Sequence, residues 1–138
     1  AYVVGDQIRL GASYCPLMNE LFYAERGKGA FKNGERISVS KVNRVKDAFL
    51  IHGSIKYFKD ELKGFIELCE VVYRQRGFGD FYGYHQVASG KADIMMDAMN
   101  HAWDLAALNV IIEEAGGKHT SFAGSRWGLD DSTSIVTN

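Results

Sequence analysis

Asp104 is an acid in an apolar setting: "HAWDLAALNVIIEEAGG" (101–117) places it between Trp103 and a run whose only polar members before Ala115 are Asn109, Glu113 and Glu114. That run is too long for a typical strand and long enough for a core helix of about three turns. Gly116 and Gly117 supply the left-handed residue that commonly closes a helix. Asp104 is therefore expected where the helix begins. Aspartate there serves as an N-cap, satisfying free amides. The same position also suits a phosphate or a carboxylate holding a metal ion. Local physics leaves both roles open.

Other reactive side chains are less suggestive. His52, His85, His101 and His119 have no cysteine partners at ligand spacing, and Cys15 and Cys69 lie far apart, which argues against zinc. Both cysteines read as reduced thiols of a cytoplasmic protein. "RGKGAF" (26–31) has glycines suited to tight turns, and no strand-to-helix setting for a phosphate cradle. Arg74 and Arg76 could meet a phosphate or a partner subunit, or simply be solvated.

The elements that must carry these residues fall into two patterns. "YVV", "QIRLGASYC" and "ELFYAE" have strand character, and Asn33-Gly34 favours a type I′ hairpin turn into a strand over 36–40. Residues 1–47 thus read as a β-meander. Strands and helices then alternate: "AFLIHG", a helix over 56–70, "VVYRQR", a helix from about Asp80 to Gly90, "ADIMMD", the Asp104 helix, and closing strands at "KHTSF" and "SIVTN". That rhythm predicts an α/β layered arrangement for 48–138 after an α+β start.

The 138 residues are one domain's worth of chain, or a piece of something larger, 46% hydrophobic and 24% charged. A net charge of −1 and a pI near 6.5 argue against broad electrostatic binding to nucleic acid or to an anionic membrane. No apolar stretch approaches the roughly 20 residues of a membrane span. The chain opens at Ala1, already in a strand-like pattern, and reads as though it starts in mid-protein.

Asp97 ends the strand "ADIMMD", "WDLAALNVIIEEAGG" follows, and "RGFGD" (76–80) lies upstream. Together these closely resemble the C-terminal half of the inositol monophosphatase family. Trp103, Asp104, Ala106, Ala107, Ile111, Ile112, Glu114, Ala115, Gly116 and Gly117 match its signature. "GKGAFKNG" is similar to the family's hairpin, and "RGFGDFYGY" resembles its histidinol-phosphate phosphatase branch. The resemblance implies a layered αβαβα sandwich, here its C-terminal portion, in a Mg²⁺-dependent phosphomonoesterase that is usually dimeric. It implies Asp104 as a metal ligand, Asp97 as a contact to the substrate's hydroxyl or amino group, and Gly79 and Asp80 as the loop facing the leaving group. Arg76 and Phe78 are further substrate-side candidates. Asp80 and Asp97 would suit a cationic amino group, so histidinol phosphate is the expected substrate and inositol 1-phosphate the alternative.

The family's remaining metal ligands come from a Glu-Glu pair and an Asp-Pro-Ile-Asp-Gly-Thr segment. Neither occurs here: the only proline, Pro16, is followed by Leu17, and "LDD" (129–131) lacks that context. Residues 1–47 are accordingly expected to belong to the family's first, metal-binding domain, and 48–138 to form its substrate-facing C-terminal domain. No catalytic residue is assigned within the chain. The isolated chain is expected to have little or no activity. A non-catalytic module that only binds or dimerises is the competing reading.

Overall fold

The computed structural model describes residues 1–138. The meander is realised as five antiparallel strands in sequential order: β1 (Tyr2–Val4), β2 (Gln7–Cys15), β3 (Glu20–Glu25), β4 (Gly29–Lys32) and β5 (Glu35–Ile37). Period-two alternation turns Phe22, Ala24 and Ala30 inward and leaves Leu21 on the outer face. In β2 a bulge at Arg9, between the pairs Tyr2–Leu10 and Val3–Ile8, lets Ile8 face inward although Tyr14 faces out. The turn from β4 to β5 has φ of 50° at Asn33 and 90° at Gly34, the paired positive values that a type I′ turn requires. The strand expected over 36–40 stops at Ile37. Beyond it, Val39 donates its amide to the carbonyl of Ala115 at 3.0 Å, so the chain leaves the sheet for the end of a helix.

The second half alternates as expected: β6 (Phe49–His52), α1 (Leu62–Val71), β7 (Arg74–Gly77), α2 (Asp80–Ala88), β8 (Ile94–Ala98), α3 (Ala102–Glu114), β9 (Lys118–Thr120) and β10 (Thr133–Thr137). Its sheet runs β7-β6-β8-β10-β9, with β7, β6 and β8 parallel and β10 antiparallel to its neighbours. The helix expected over 56–70 is shorter than its pattern. Residues 55–57 and 59–61 form 3₁₀ turns, and Lys59, at φ 47°, breaks the α-helical path between them. Phe58 and Phe65 still meet edge-to-face at 4.8 Å.

Four layers result. Ile8, Phe22, Ala24 and Ala30 of the first sheet share one core with Tyr84 and Val87 of α2, Leu105, Leu108 and Ile112 of α3, and Ile51, Met95 and Val136 of the second sheet. α2 and α3 are therefore sandwiched between the sheets. α1 covers the opposite face of the second sheet, where Phe65 joins Leu50, Ile94 and Met96. This position explains the composition of α3, which is apolar on most sides because both its faces are covered. Its end is a Schellman motif: Gly117 donates to Ile112 at 3.0 Å, Gly116 donates to Glu113 at 3.1 Å, and Gly116 has φ 95°.

No helix is long and apolar enough to cross a membrane. The glycine-rich hairpin carries no phosphate-cradle geometry. The amides of Gly27 and Gly29 each donate to the Glu114 carboxylate at 2.8 Å, which pins the first sheet to the end of α3.

Candidate active site

In an open α/β sheet, ligands bind outside the carboxyl ends of the parallel strands, where successive connections run to opposite sides. β6 connects through α1 to β7 on one flank, and β7 then crosses over through α2 to β8 on the other flank of β6. Beyond these strand ends lies a cleft of about 870 Å³. Gly53 follows β6, Gly79 and Asp80 follow β7, Asp97 and Ala98 end β8, and Asp104 lies in the first turn of α3; all line the cleft. Its 19 lining residues include Asp80, Asp97 and Asp104, and no lysine, arginine or histidine. A concave surface of this composition concentrates negative potential, so it attracts cations and repels an unaccompanied phosphate dianion.

Asp104 does not cap the helix in the position its sequence suggests. α3 begins two residues earlier, at Ala102, because extended His101 takes the N-cap place with φ −120° and ψ 165°. Asp104 is the third helical residue and reaches back: its Oδ2 accepts the His101 amide at 2.9 Å, the inner half of a capping box. The His101 ring stacks on Trp103 at 4.4 Å. One oxygen of Asp104 thus fixes the helix start, while Oδ1 is free to face the cleft. Capping and ligand binding are compatible in this side chain.

Asp97 is the most buried of the three aspartates, at 7% exposure. Burial pushes its pKa up, the backbone amides of Ala98 and Asp80 hold it down, and the charges of Asp80 and Asp104 push it up again. Its Oδ1 accepts the Ala98 amide at 2.9 Å. Asp80 opens α2 at φ 57°, a left-handed value that aspartate tolerates better than most residues. Met99, immediately after β8, has φ 62°. Both unusual backbones border the cleft, as strained residues at functional sites commonly do.

Two sequence candidates stand outside the lining. Arg76 is exposed and donates to the carbonyl of Gln75 at 2.8 Å. Phe78, 41% exposed, packs at 5.9 Å against Tyr82. The structure adds lining residues absent from the sequence argument: Ser13 and Tyr14 of β2, Ser54 and Tyr57 after β6, Tyr84 of α2, and Asn100. Gly53-Ser54 could have been found from topology, as the residues directly after a parallel strand. Nothing local marks Ser13.

The residues present do not complete a metal centre. No group of three or more His, Cys, Asp or Glu is placed to hold an ion. Asp104 can supply one hard oxygen, and a Mg²⁺ ion demands near-octahedral oxygen coordination.

The model of the inositol monophosphatase family matches residues 1–138. The chain belongs to the inositol monophosphatase family. It is 35% identical over 136 residues to the histidinol-phosphatase of Mycobacterium tuberculosis, covering 94% of this chain and 52% of that protein. It is also 35% identical over 140 residues to the fructose-1,6-bisphosphatase/inositol-1-monophosphatase of Thermotoga maritima, covering 100% of this chain and 54% of the relative. A solved structure of T. maritima IMPase superposes with a TM-score of 0.88 at 34% identity, over 100% of this chain and 54% of that one. The fold alone is shared with an inositol monophosphatase from Zymomonas mobilis, with a TM-score of 0.91 at 23% identity over 98% of this chain and 54% of that one. The chain thus spans about half the length of the relatives it matches.

Proposed function

We propose that the full-length protein carrying this chain is a Mg²⁺-dependent phosphomonoesterase of a small-molecule phosphate, histidinol phosphate in the first instance. The observation that carries this reading is the convergence of Asp80, Asp97 and Asp104 from α2, β8 and α3 on one cleft without a basic residue. An alkylammonium group is charged at neutral pH, and two carboxylates beside the leaving-group loop recognise it by charge and hydrogen bonding. Asp80 and Asp97 take that part. Gly79, without a side chain, lets the leaving group approach the backbone. Asp104 contributes an anionic oxygen toward Mg²⁺, whose other ligands come from outside these residues. Relatives named histidinol-phosphatase support the substrate. The same reading includes a cytoplasmic homodimer.

Inositol 1-phosphate is the second reading, supported by the 35% identity to the Thermotoga protein named fructose-1,6-bisphosphatase/inositol-1-monophosphatase. The isolated chain, with one metal oxygen to offer, is expected to be inactive whichever substrate is correct.

Phosphate release by the full-length protein, measured with and without Mg²⁺ on histidinol phosphate and inositol 1-phosphate side by side, tests this. Mg²⁺-dependent turnover with a preference for the amino substrate supports the reading. Preference for the inositol ester selects the second. A folded protein that turns over neither retains the family fold as a binding or dimerisation module.

A further inference from the structure

His85 takes no part in the reading above, yet it reaches the cleft wall through one neighbour. Ser13 and Phe22 are directly opposed on β2 and β3, so their side chains share the inner face of the first sheet. The His85 ring, fully buried, lies over that pair. It stacks on Phe22 at 3.8 Å with an interplanar angle of 13°, and its Nε2 is 2.9 Å from Ser13 Oγ. Phe81 meets the same ring edge-to-face at 5.2 Å. Nδ1 has no hydrogen-bond partner.

These facts fix the direction of the hydrogen bond. Burial, first, drives the imidazole pKa down to about 4, against the pull of Glu20 and with the push of Lys32, so the ring is neutral at physiological pH and carries one N–H. A proton on Nδ1 would strand a donor among aromatic rings. A proton on Nε2, also the intrinsically favoured tautomer of histidine, meets Ser13 Oγ and leaves only a lone pair unused. With Oγ accepting from His85, the hydroxyl hydrogen of Ser13 is released toward the cleft it lines.

We propose that Ser13 is a specificity-determining residue, held by His85 as a hydrogen-bond donor to an uncharged ring nitrogen on the leaving group. The inference rests on the phosphatase reading and deepens it. His85 touches Ser13 at 2.9 Å and Phe81 at 5.2 Å, and Phe81 follows Asp80 at the start of α2, which links Ser13 to the leaving-group side assigned above. Asp80 and Asp97, the leaving-group residues assigned above, take cations and cannot donate when ionised, and the hydroxyl of neighbouring Tyr14 is spent on Asn19 Oδ1 at 3.0 Å. Exposed Phe81 and Trp103, 38% and 78% accessible, offer flat apolar surface to a planar heteroaromatic ring. An aspartate for the ammonium and a serine donor for the ring nitrogen together distinguish an imidazole-bearing amino alcohol from its phenyl analogue.

The experiment uses the full-length protein and does not require turnover. Binding of histidinol and of phenylalaninol, which lacks the ring nitrogen, is measured by calorimetry for wild type and Ser13→Ala, and the His85 tautomer is read from ¹⁵N chemical shifts. The expected result is an Nε2–H tautomer and on the order of 5-fold weaker histidinol binding in Ser13→Ala, with phenylalaninol unchanged. In turnover the same loss appears in KM for histidinol phosphate, with kcat within about 2-fold. An Nδ1–H tautomer, equal loss for both ligands, unchanged histidinol affinity, or no histidinol binding by wild type overturns the proposal. Ser13-dependent histidinol binding without phosphate release would overturn the phosphatase reading and leave the role of Ser13 standing.

Discussion

Gly53 lies directly against Asp97: a methyl group on its Cα would fall 2.5 Å from the Asp97 Cγ and closer still to its Oδ1. The carboxylate occupies the space a side chain after β6 would need. Asp97 is short and buried, so it cannot swing clear without leaving the Ala98 amide.

Gly53→Ala is therefore expected to destabilise the fold by about 1–3 kcal/mol, the usual cost of overpacking, and to displace the acid from the cleft. The cause is checked by a double-mutant cycle in urea. In an Asp97→Ala background, where the colliding carboxylate is gone, the same Gly53→Ala change should cost less than half as much. Equal cost in both backgrounds would place the strain elsewhere.

Asp104 separates into two roles by substitution. Asn keeps an acceptor for the His101 amide and loses the charge; Ala loses both. Asp104→Asn should leave the unfolding midpoint nearly unchanged while Asp104→Ala costs about 1 kcal/mol of capping energy. Both should abolish turnover in the full-length protein. An Asn variant that is active but unstable would make the capping box the whole reason for this acid.

The glycine-rich hairpin gives a third outcome. Glu114 is largely buried and holds the amides of Gly27 and Gly29, of which Gly29 is also buried. Hydrogen bonds to a charged acceptor contribute about 1.5–3 kcal/mol each, and a stranded buried donor adds its desolvation cost. Glu114→Ala is expected to lower stability by about 2–4 kcal/mol, and Glu114→Gln by less, since its carbonyl oxygen still accepts one amide. Urea denaturation of the isolated chain measures both. A loss under about 0.5 kcal/mol for Ala would show the tether to be decorative.

How much of this was legible in the sequence depends on range. The Schellman end of α3, the type I′ turn at Asn33-Gly34 and the alternation of strands with helices are local, set by φ requirements and apolar periodicity within a few residues. Asp80, Asp97 and Asp104 stand out through motif resemblance, and the structure places all three on one cleft. The helix start at Ala102 was missed because His101 is an uncommon N-cap, and aspartate was the better local guess. The Glu114 tether joins residues 85 and 87 positions apart, and the Ser13–His85 pair spans 72, so neither leaves a local trace. Arg76 stands out in the sequence as a strand-end cation able to meet a phosphate or a partner subunit, and Phe78 because it lies between two glycines; neither lines the cleft.

The last expectation concerns acid. His119, 2% exposed, stacks on Trp127 at 4.8 Å; Asn109 donates to its Nδ1 at 3.1 Å and its Nε2 donates to Ser134 at 2.8 Å. Every polar atom of this ring suits the neutral form, and protonation would set a second donor against the Asn109 amide. Burial is the main cause that brings its pKa down to about 3, with Glu113 pulling the other way, and His85 falls to about 4. Both folded-state values lie below the roughly 6.5 of an unfolded histidine. Below that pH the unfolded chain binds protons that the folded chain refuses, so stability is fully present above pH 6.5 and falls as pH drops toward 4. Each histidine should contribute a slope of about 1.4 kcal/mol per pH unit within the window. Urea unfolding of the chain at pH 7.5, 6, 5 and 4.5 tests this, with His119→Gln expected to be less stable at neutral pH and to lose roughly half the slope. Parallel curves for wild type and variant would mean that His119 is protonated in the folded chain, and that its buried network rearranges to accept the charge.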